Sequence, residues 1–309
     1  MSRLIALVFV LLWAPLAAGP HATAAETPAL VDSAWLKANL DRPDLVVLDV
    51  RNALAKQSRQ DYLQGHVPGA IHSDYLKAGW RTKVDGIAGQ LPRIADLEAL
   101  IGGLGIDNDN HVVVVAGGKS ALDMGSATRV FFTFKVLGHD QVSVLDGGHK
   151  AWAADSDNPL ETGEVTRPAT IFTADFRPEL LASRDEVAAA AGKGTALIDF
   201  RPTPQYQGKA KHKLARVPGT IPGAVSVPEG ELTEKGGTLV AGGKAAELIK
   251  LAGIEPEDEA IAFCNTGHWA SLGWFVSHEV LGNKAAKLYD GSMVDWTADQ
   301  SRPVEAGGS

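Results

Sequence analysis

A chain of 309 residues with one cysteine, Cys264, has no internal disulfide to form, which excludes the small stapled folds of disulfide-rich proteins. Positive charge is scarce as well. With 29 Lys and Arg against 37 Asp and Glu, the formal net charge is −8, which argues against nucleic acid or an anionic membrane as the main partner. Beyond the N-terminal segment no run is apolar enough to span a bilayer. Gly118-Lys119-Ser120 looks like the end of a phosphate-binding loop, but Val113 stands where that motif needs its first glycine. Cys264 and His268 offer only two soft ligands at helical spacing, so no metal and no cofactor is expected.

What is present reads as a folded, exported protein. The composition, 45% hydrophobic and 21% charged, is that of a globular chain, and the length suits about two domains of roughly 100–200 residues each. Arg3, the apolar run from Leu4 to Leu16 and the small residues ending in Ala22-Thr23-Ala24 form the pattern of a cleaved secretory leader over residues 1–24. The expected location is therefore periplasmic or secreted, with no membrane attachment in the mature form.

The cysteine opens the stretch Cys264-Asn265-Thr266-Gly267-His268-Trp269. Before it, Ala260-Ile261-Ala262-Phe263 is of strand type. After it, Leu272, Phe275, Val276 and Val280 recur at helical spacing. A thiol at a strand-to-helix turn has backbone N–H groups and the positive end of a helix dipole aimed at the sulfur. Such a setting predicts a reactive, partly exposed thiol.

Signals recur in the same order in the two halves. Asp49 and Arg51 match Asp199 and Arg201, Val67 to Ile71 match Ile221 to Val225, Val112 to Val115 match Ala260 to Phe263, and Trp152 matches Trp296. The separation far exceeds the roughly 20–50 residues of solenoid repeats, so each copy is a whole domain. Strands alternating with helical segments, including one around Ala127 to Leu137, imply an α/β fold with parallel sheets. Domains are expected over 30–155 and 179–298, joined by a Pro-, Thr- and Gly-rich linker over 156–178. Ser183 and Glu186 have capping-box spacing at the start of the second copy. The tail, 299–309, ends in Gly307-Gly308-Ser309 and is expected to fray.

Taken together, an Asp-x-Arg after a strand, the Gly65 to Ala70 turn (Gly-His-Val-Pro-Gly-Ala), a cysteine opening a six-residue loop, and Asp290-Gly291-Ser292 followed by Trp296 resemble the rhodanese sulfurtransferases. The resemblance implies two tandem rhodanese-like domains, each a mainly parallel sheet flanked by helices. It also implies a non-catalytic first copy, in which Ala116 stands where Cys264 stands in the second, and an active-site loop facing the interdomain cleft. The implied reaction moves a sulfane sulfur from a small anionic donor, of thiosulfate or 3-mercaptopyruvate type, to a thiol or cyanide acceptor through a Cys264 persulfide. A sulfur carrier with little small-molecule turnover is the alternative, and a redox protein is a further candidate partner.

Cys264 is thus the candidate catalytic residue, with Asn265, Thr266, Gly267, His268, Trp269 and Gln205 as candidate substrate-binding residues. Here the chain departs from the family pattern. Asn265 and Thr266 are neutral where thiosulfate-using members carry basic residues, and the loop lacks the Gly-Ser-Gly of mercaptopyruvate-using members. Gln205, ahead of Tyr206, replaces an arginine. Lys209, Lys211, Lys213 and Arg216 are either a substitute anion clamp or a solvated face. Ala270, six positions beyond Cys264, stands where a cysteine phosphatase needs its clamping arginine.

Overall fold

The computed structural model describes residues 27–308 apart from Gly192, Gly194 and Pro256; the leader expected over 1–24 lies outside the described residues. The first domain contains β1 (Leu30–Val31), α1 (Ser33–Asn39), β2 (Leu45–Asp49), α2 (Arg59–Gln64), β3 (Ile71–His72), β4 (Thr82–Val84), β5 (Ile87–Gln90), α3 (Ile94–Gly103), β6 (His111–Val115), α4 (Ala121–Val136), β7 (Val142–Leu145) and α5 (Gly148–Ala154). Every residue of β2 and β6 is buried, because helices cover both faces of the sheet, as apolar parallel strands require. The sheet order is β1-β7-β6-β2-β3, all parallel. The antiparallel hairpin of β4 and β5 stands apart from it.

The second domain repeats the plan with α6 (Arg184–Ala190), β8 (Ala196–Asp199), α7 (Thr203–Tyr206), β9 (Val225–Ser226), α8 (Gly242–Leu251), β10 (Ala260–Phe263), α9 (His268–Phe275), β11 (Lys287–Leu288) and α10 (Ser292–Ala298). Its sheet runs β11-β10-β8-β9, again parallel, and Leu181 bridges Leu288 where the first copy has β1. Ser183 and Glu186 form the capping box that opens α6. In each copy the Asp-x-Arg is a buried ion pair that ties the strand end to a turn. Arg51 donates to Gly65 O at 2.9 Å and Arg201 to Gly219 O at 2.8 Å.

The two copies share a core. α4 packs along α9, with edge-on contacts between Phe131 and Phe275 (centroids 4.9 Å apart) and between Phe132 and Trp274 (4.8 Å), and one apolar cluster runs through both inner layers. Because α4 is buried almost all round, it has no polar face to impose a period. That is why the sequence pattern locates only its second half, from Ala127 onward, although the helix starts at Ala121.

Residues 156–178 run across the first domain, where Thr170 N donates to Gly102 O at 2.8 Å and Asp175 N to Leu137 O at 2.8 Å, with Phe172 buried. The tail does not fray as its glycines suggest. Glu305 pairs antiparallel with Thr220, Gly307 N donates to Tyr206 O at 3.0 Å, and Trp296 Nε1 donates to Pro303 O at 2.8 Å. The same device closes the first copy, where Glu161 pairs with His66 and Trp152 Nε1 donates to Pro159 O. Pairing with the turn outweighs the local preference of two glycines.

Candidate active site

Between the last residue of β10, Phe263, and the first of α9, His268, lies the four-residue turn that begins with Cys264. Gly267 takes φ +72°, and a Cβ there would fall 2.5 Å from Arg129 Nη1 and 2.6 Å from Asp290 Oδ1, so only glycine fits. Ser292, at the start of α10, ties the turn from below. Its Oγ accepts from Cys264 N at 3.0 Å and from Gly267 N at 3.1 Å, and donates to Tyr289 O at 2.8 Å. Two of the turn's amides therefore point at a hydroxyl 4.0 Å from Cys264 Sγ, where the sequence suggested that they converge on the sulfur. Among the described residues, the amides of Asn265, Thr266, His268 and Trp269 have no protein acceptor. Those of His268 and Trp269 open α9, where the helix leaves its first N–H groups unpaired.

The first domain holds the turn from above. Arg81 donates to Thr266 O and, from Nε, to Gly89 O at 3.1 Å. Arg129, on α4 and without exposed surface, pairs with Asp290 and donates to Gly267 O at 3.3 Å and Gly89 O at 3.4 Å. Leu91 N, at the end of the hairpin, donates to Asp290 Oδ2 at 2.6 Å. His268 is held at both nitrogens: Nε2 lies 2.7 Å from Leu122 O and Nδ1 lies 2.8 Å from Tyr75 Oη. A carbonyl only accepts, so Nε2 carries the proton and Nδ1 accepts from the tyrosine. Burial, with Arg81 nearby, pushes this imidazole down to about 3.

Above the sulfur is a cavity of about 180 Å³. The first domain lines it with Leu54, Leu76, Arg81 and Leu122, and the second with His212, Cys264, Asn265, Thr266, His268 and Trp269. Five of the expected site residues, Cys264, Asn265, Thr266, His268 and Trp269, thus meet at one cavity between the domains. Gly267 sits behind them. Gln205 is not in the lining: its Oε1 accepts from Asn265 Nδ2 at 2.9 Å, so it holds a wall residue instead of touching a ligand. The thiol is not partly exposed but fully buried, because the hairpin and α4 close over the turn. His268 has no free nitrogen to offer a substrate. Lys209, Lys211, Lys213 and Arg216 are exposed and line nothing here; Lys211 donates to Ala215 O at 2.7 Å.

A family model described as "Rhodanese-like domain" matches residues 32–155 and 183–299. The chain belongs to the rhodanese family. A protein of Mycolicibacterium smegmatis, provisionally named a thiosulfate sulfurtransferase, is 33% identical over 92% of this chain and 99% of its own length. A 3-mercaptopyruvate sulfurtransferase of Escherichia coli is 31% identical over 90% and 98%. The crystal structure of SseA from Escherichia coli superposes with a TM-score of 0.74 at 28% identity, covering 86% of this chain and 99% of that one.

In this rhodanese the first copy's counterpart turn is plugged by its own side chain. Ala116 replaces the cysteine, and the Asp123 carboxylate, buried, accepts from Lys119 N at 3.1 Å; burial pushes that carboxyl up. The copies clamp each other reciprocally, since Asp146 accepts from Leu239 N at 2.8 Å as Asp290 accepts from Leu91 N. Arg81, Tyr75, Leu122 and Arg129 were invisible in the sequence because their roles depend on the domain–domain contact. Ser292 was half visible, in the Asp-Gly-Ser motif.

Two expectations follow for the rhodanese fold. Ser292→Ala orphans two amides and one carbonyl at once, so it should cost about 3 kcal/mol of stability and slow turnover by distorting the turn. Urea titration and steady-state rates check this, and a loss below about 1 kcal/mol would show that the hydroxyl is dispensable. Acid should destabilise the protein before most of its carboxylates titrate. Burial lowers His268 to about 3 and His111 and His149 to about 4. Their neutral forms favour folding fully above the ordinary value near 6.5, and that contribution is lost as pH falls. Glu229, raised by burial to about 6, works in the opposite direction and offsets one proton. Each remaining proton costs about 1.4 kcal/mol per pH unit. A melting temperature flat between pH 6.5 and 4.5 would contradict the neutral, buried imidazoles.

Proposed function

We propose that Cys264 takes a sulfane sulfur from a small anionic donor, of the thiosulfate or 3-mercaptopyruvate type named for its relatives, and holds it as a persulfide. The chain is a sulfurtransferase of two tandem rhodanese domains. The Cys264 thiolate attacks the outer sulfur of the donor, whose S–S or C–S bond breaks with the electron pair leaving on the donor remnant. An acceptor thiolate or cyanide then attacks the outer sulfur of the persulfide and returns the Cys264 thiolate. The observation that carries this reading is the lone thiol on the floor of an interdomain cavity, flanked by four amides without a protein acceptor. Such donors favour an anion on the sulfur.

A small cavity over a fully buried thiol favours small-molecule turnover over a carrier role, in which a protein partner must reach the sulfur directly. A redox protein is kept as a candidate partner of the second step. We also place the mature protein in the periplasm or outside the cell, on the strength of Arg3, the Leu4 to Leu16 run and the Ala22-Thr23-Ala24 site.

One measurement tests both readings. Intact mass of protein purified from whole cells and incubated with donor should show loss of residues 1–24 and a gain of one sulfur, removed again by cyanide or a thiol. No added sulfur with any donor would sink the persulfide, and an uncleaved N-terminus would sink the export.

A further inference from the structure

Asn265 follows the thiol directly, lines the same cavity and is only 3% exposed. Its side-chain amide is half satisfied. Nδ2 donates to Gln205 Oε1 at 2.9 Å, whereas Oδ1 is buried and has no partner. Burying an acceptor without a donor costs about 1–3 kcal/mol, so a side chain left that way calls for a reason. Gln205 is itself an amide, half-buried on α7, and among the described residues its Nε2 has no protein acceptor. The two amides can therefore exchange roles. If both turn over, Gln205 Nε2 donates to Asn265 Oδ1 and the pair keeps its hydrogen bond. What changes is the free end of Asn265, from a bare oxygen to a bare N–H.

The neighbouring sulfur changes in the complementary sense. A bare amide oxygen repels an anion and a bare N–H attracts one, and the difference is large in a buried site, where little water screens the dipole. An unloaded Cys264 offers no outer sulfur to an N–H, whereas the persulfide of the reading above carries its negative charge on one. We propose that loading Cys264 turns the Asn265 amide over, so that Nδ2 donates to the outer sulfur, and that Gln205 is the positioning residue that permits the turn by switching from acceptor to donor. A glutamate at 205, which only accepts, would hold the amide in the unloaded orientation, and an arginine, which only donates, in the loaded one. Glutamine allows both.

The test reads the ratio of persulfide to thiol by intact mass, with the full chain at equilibrium with a fixed ratio of thiosulfate to sulfite or of 3-mercaptopyruvate to pyruvate. Gln205→Glu is expected to lower that ratio about tenfold, the loss of one hydrogen bond to a charged group. Gln205→Met neither donates nor accepts, so Nδ2 stays free to turn and the ratio should remain within about threefold of the parent. The decisive comparison places Gln205→Glu in an Asn265→Ala background, where no amide is left to lock. There the glutamate should change the ratio less than about twofold, because it acts through Asn265 and not through its own charge. A like drop in both backgrounds would make the effect one of charge, and an equal drop for Gln205→Met would make Gln205 a plain support. Either result, or an unchanged ratio in Gln205→Glu, would overturn the amide switch and leave the persulfide reading standing. No persulfide on the parent chain with either pair would overturn both.

Discussion

Cys264→Ser is expected to abolish sulfur transfer, by roughly 10⁴-fold or more, in a protein that still folds. A serine hydroxyl is not ionised at neutral pH and forms no stable bond to a sulfane sulfur, so neither half of the reaction has a substitute. The chain holds no second cysteine to take over. Structurally the change is small. The side chain is fully buried in the cluster shared by both domains, and the Ser292 hydroxyl, 4.0 Å from the sulfur, already donates to Tyr289 O. A buried hydroxyl without a ready partner costs about 1–3 kcal/mol, which lowers the melting temperature without abolishing the fold. Thiocyanate production, single-turnover mass and a melting curve on the same preparation separate the two effects. A folded variant that retains transfer would mean that the nucleophile is not Cys264.

The parts of this molecule that were legible in the sequence are those whose burial is decided within one domain. β2, β6 and β10 are buried on both faces and read as apolar runs, with a polar residue only at the end of β2 (Asp49) and the start of β6 (His111); the capping box at Ser183 is local by construction. Asp49 with Arg51 and Asp199 with Arg201 lie two residues apart and pair with each other. The duplication follows from such local signals occurring twice in order. The hairpin of β4 and β5 left none, because its strands are short and exposed or only half-buried.

The site itself was legible on one side only. Cys264 to Trp269 announce a strand, a turn and a helix, but nothing near them specifies that Tyr75, 193 positions away, donates to His268, or that Arg81, 185 positions away, holds Thr266. Exposure of the thiol was misjudged for the same reason. A turn read within its own domain looks open, and only the second domain closes it. The tail was misjudged because Gly307 and Gly308 say nothing of the strand-like pairing between Glu305 and Thr220.

Arg129→Met should expose what the first copy does for the second. Arg129 lies on α4 of the domain that has alanine in place of the cysteine, yet it is fully buried against the catalytic turn, paired with Asp290 and bonded to Gly267 O. Methionine refills much of the volume with an adaptable apolar chain, so the loss is chiefly electrostatic: Asp290, only 12% exposed at its side chain, is left without its cation. Removing one partner of a buried pair costs about 3–5 kcal/mol, and freeing the Gly267 carbonyl loosens the turn that positions Cys264, so turnover should fall together with stability. Arg129→Lys should rescue poorly, since one ammonium does not reproduce a fork that reaches Asp290, Gly267 O and Gly89 O at once. Asp290→Asn in the Arg129→Met background should recover part of the stability by removing the stranded charge, while turnover stays low because the turn is still unheld. Denaturant titrations of the two single variants and the double variant, beside their rates, give the coupling directly. Additive losses, or Arg129→Met at less than about 1 kcal/mol, would refute the clamp. The predicted coupling would make the first domain, without a nucleophile of its own, the support that holds the second domain's thiol in place.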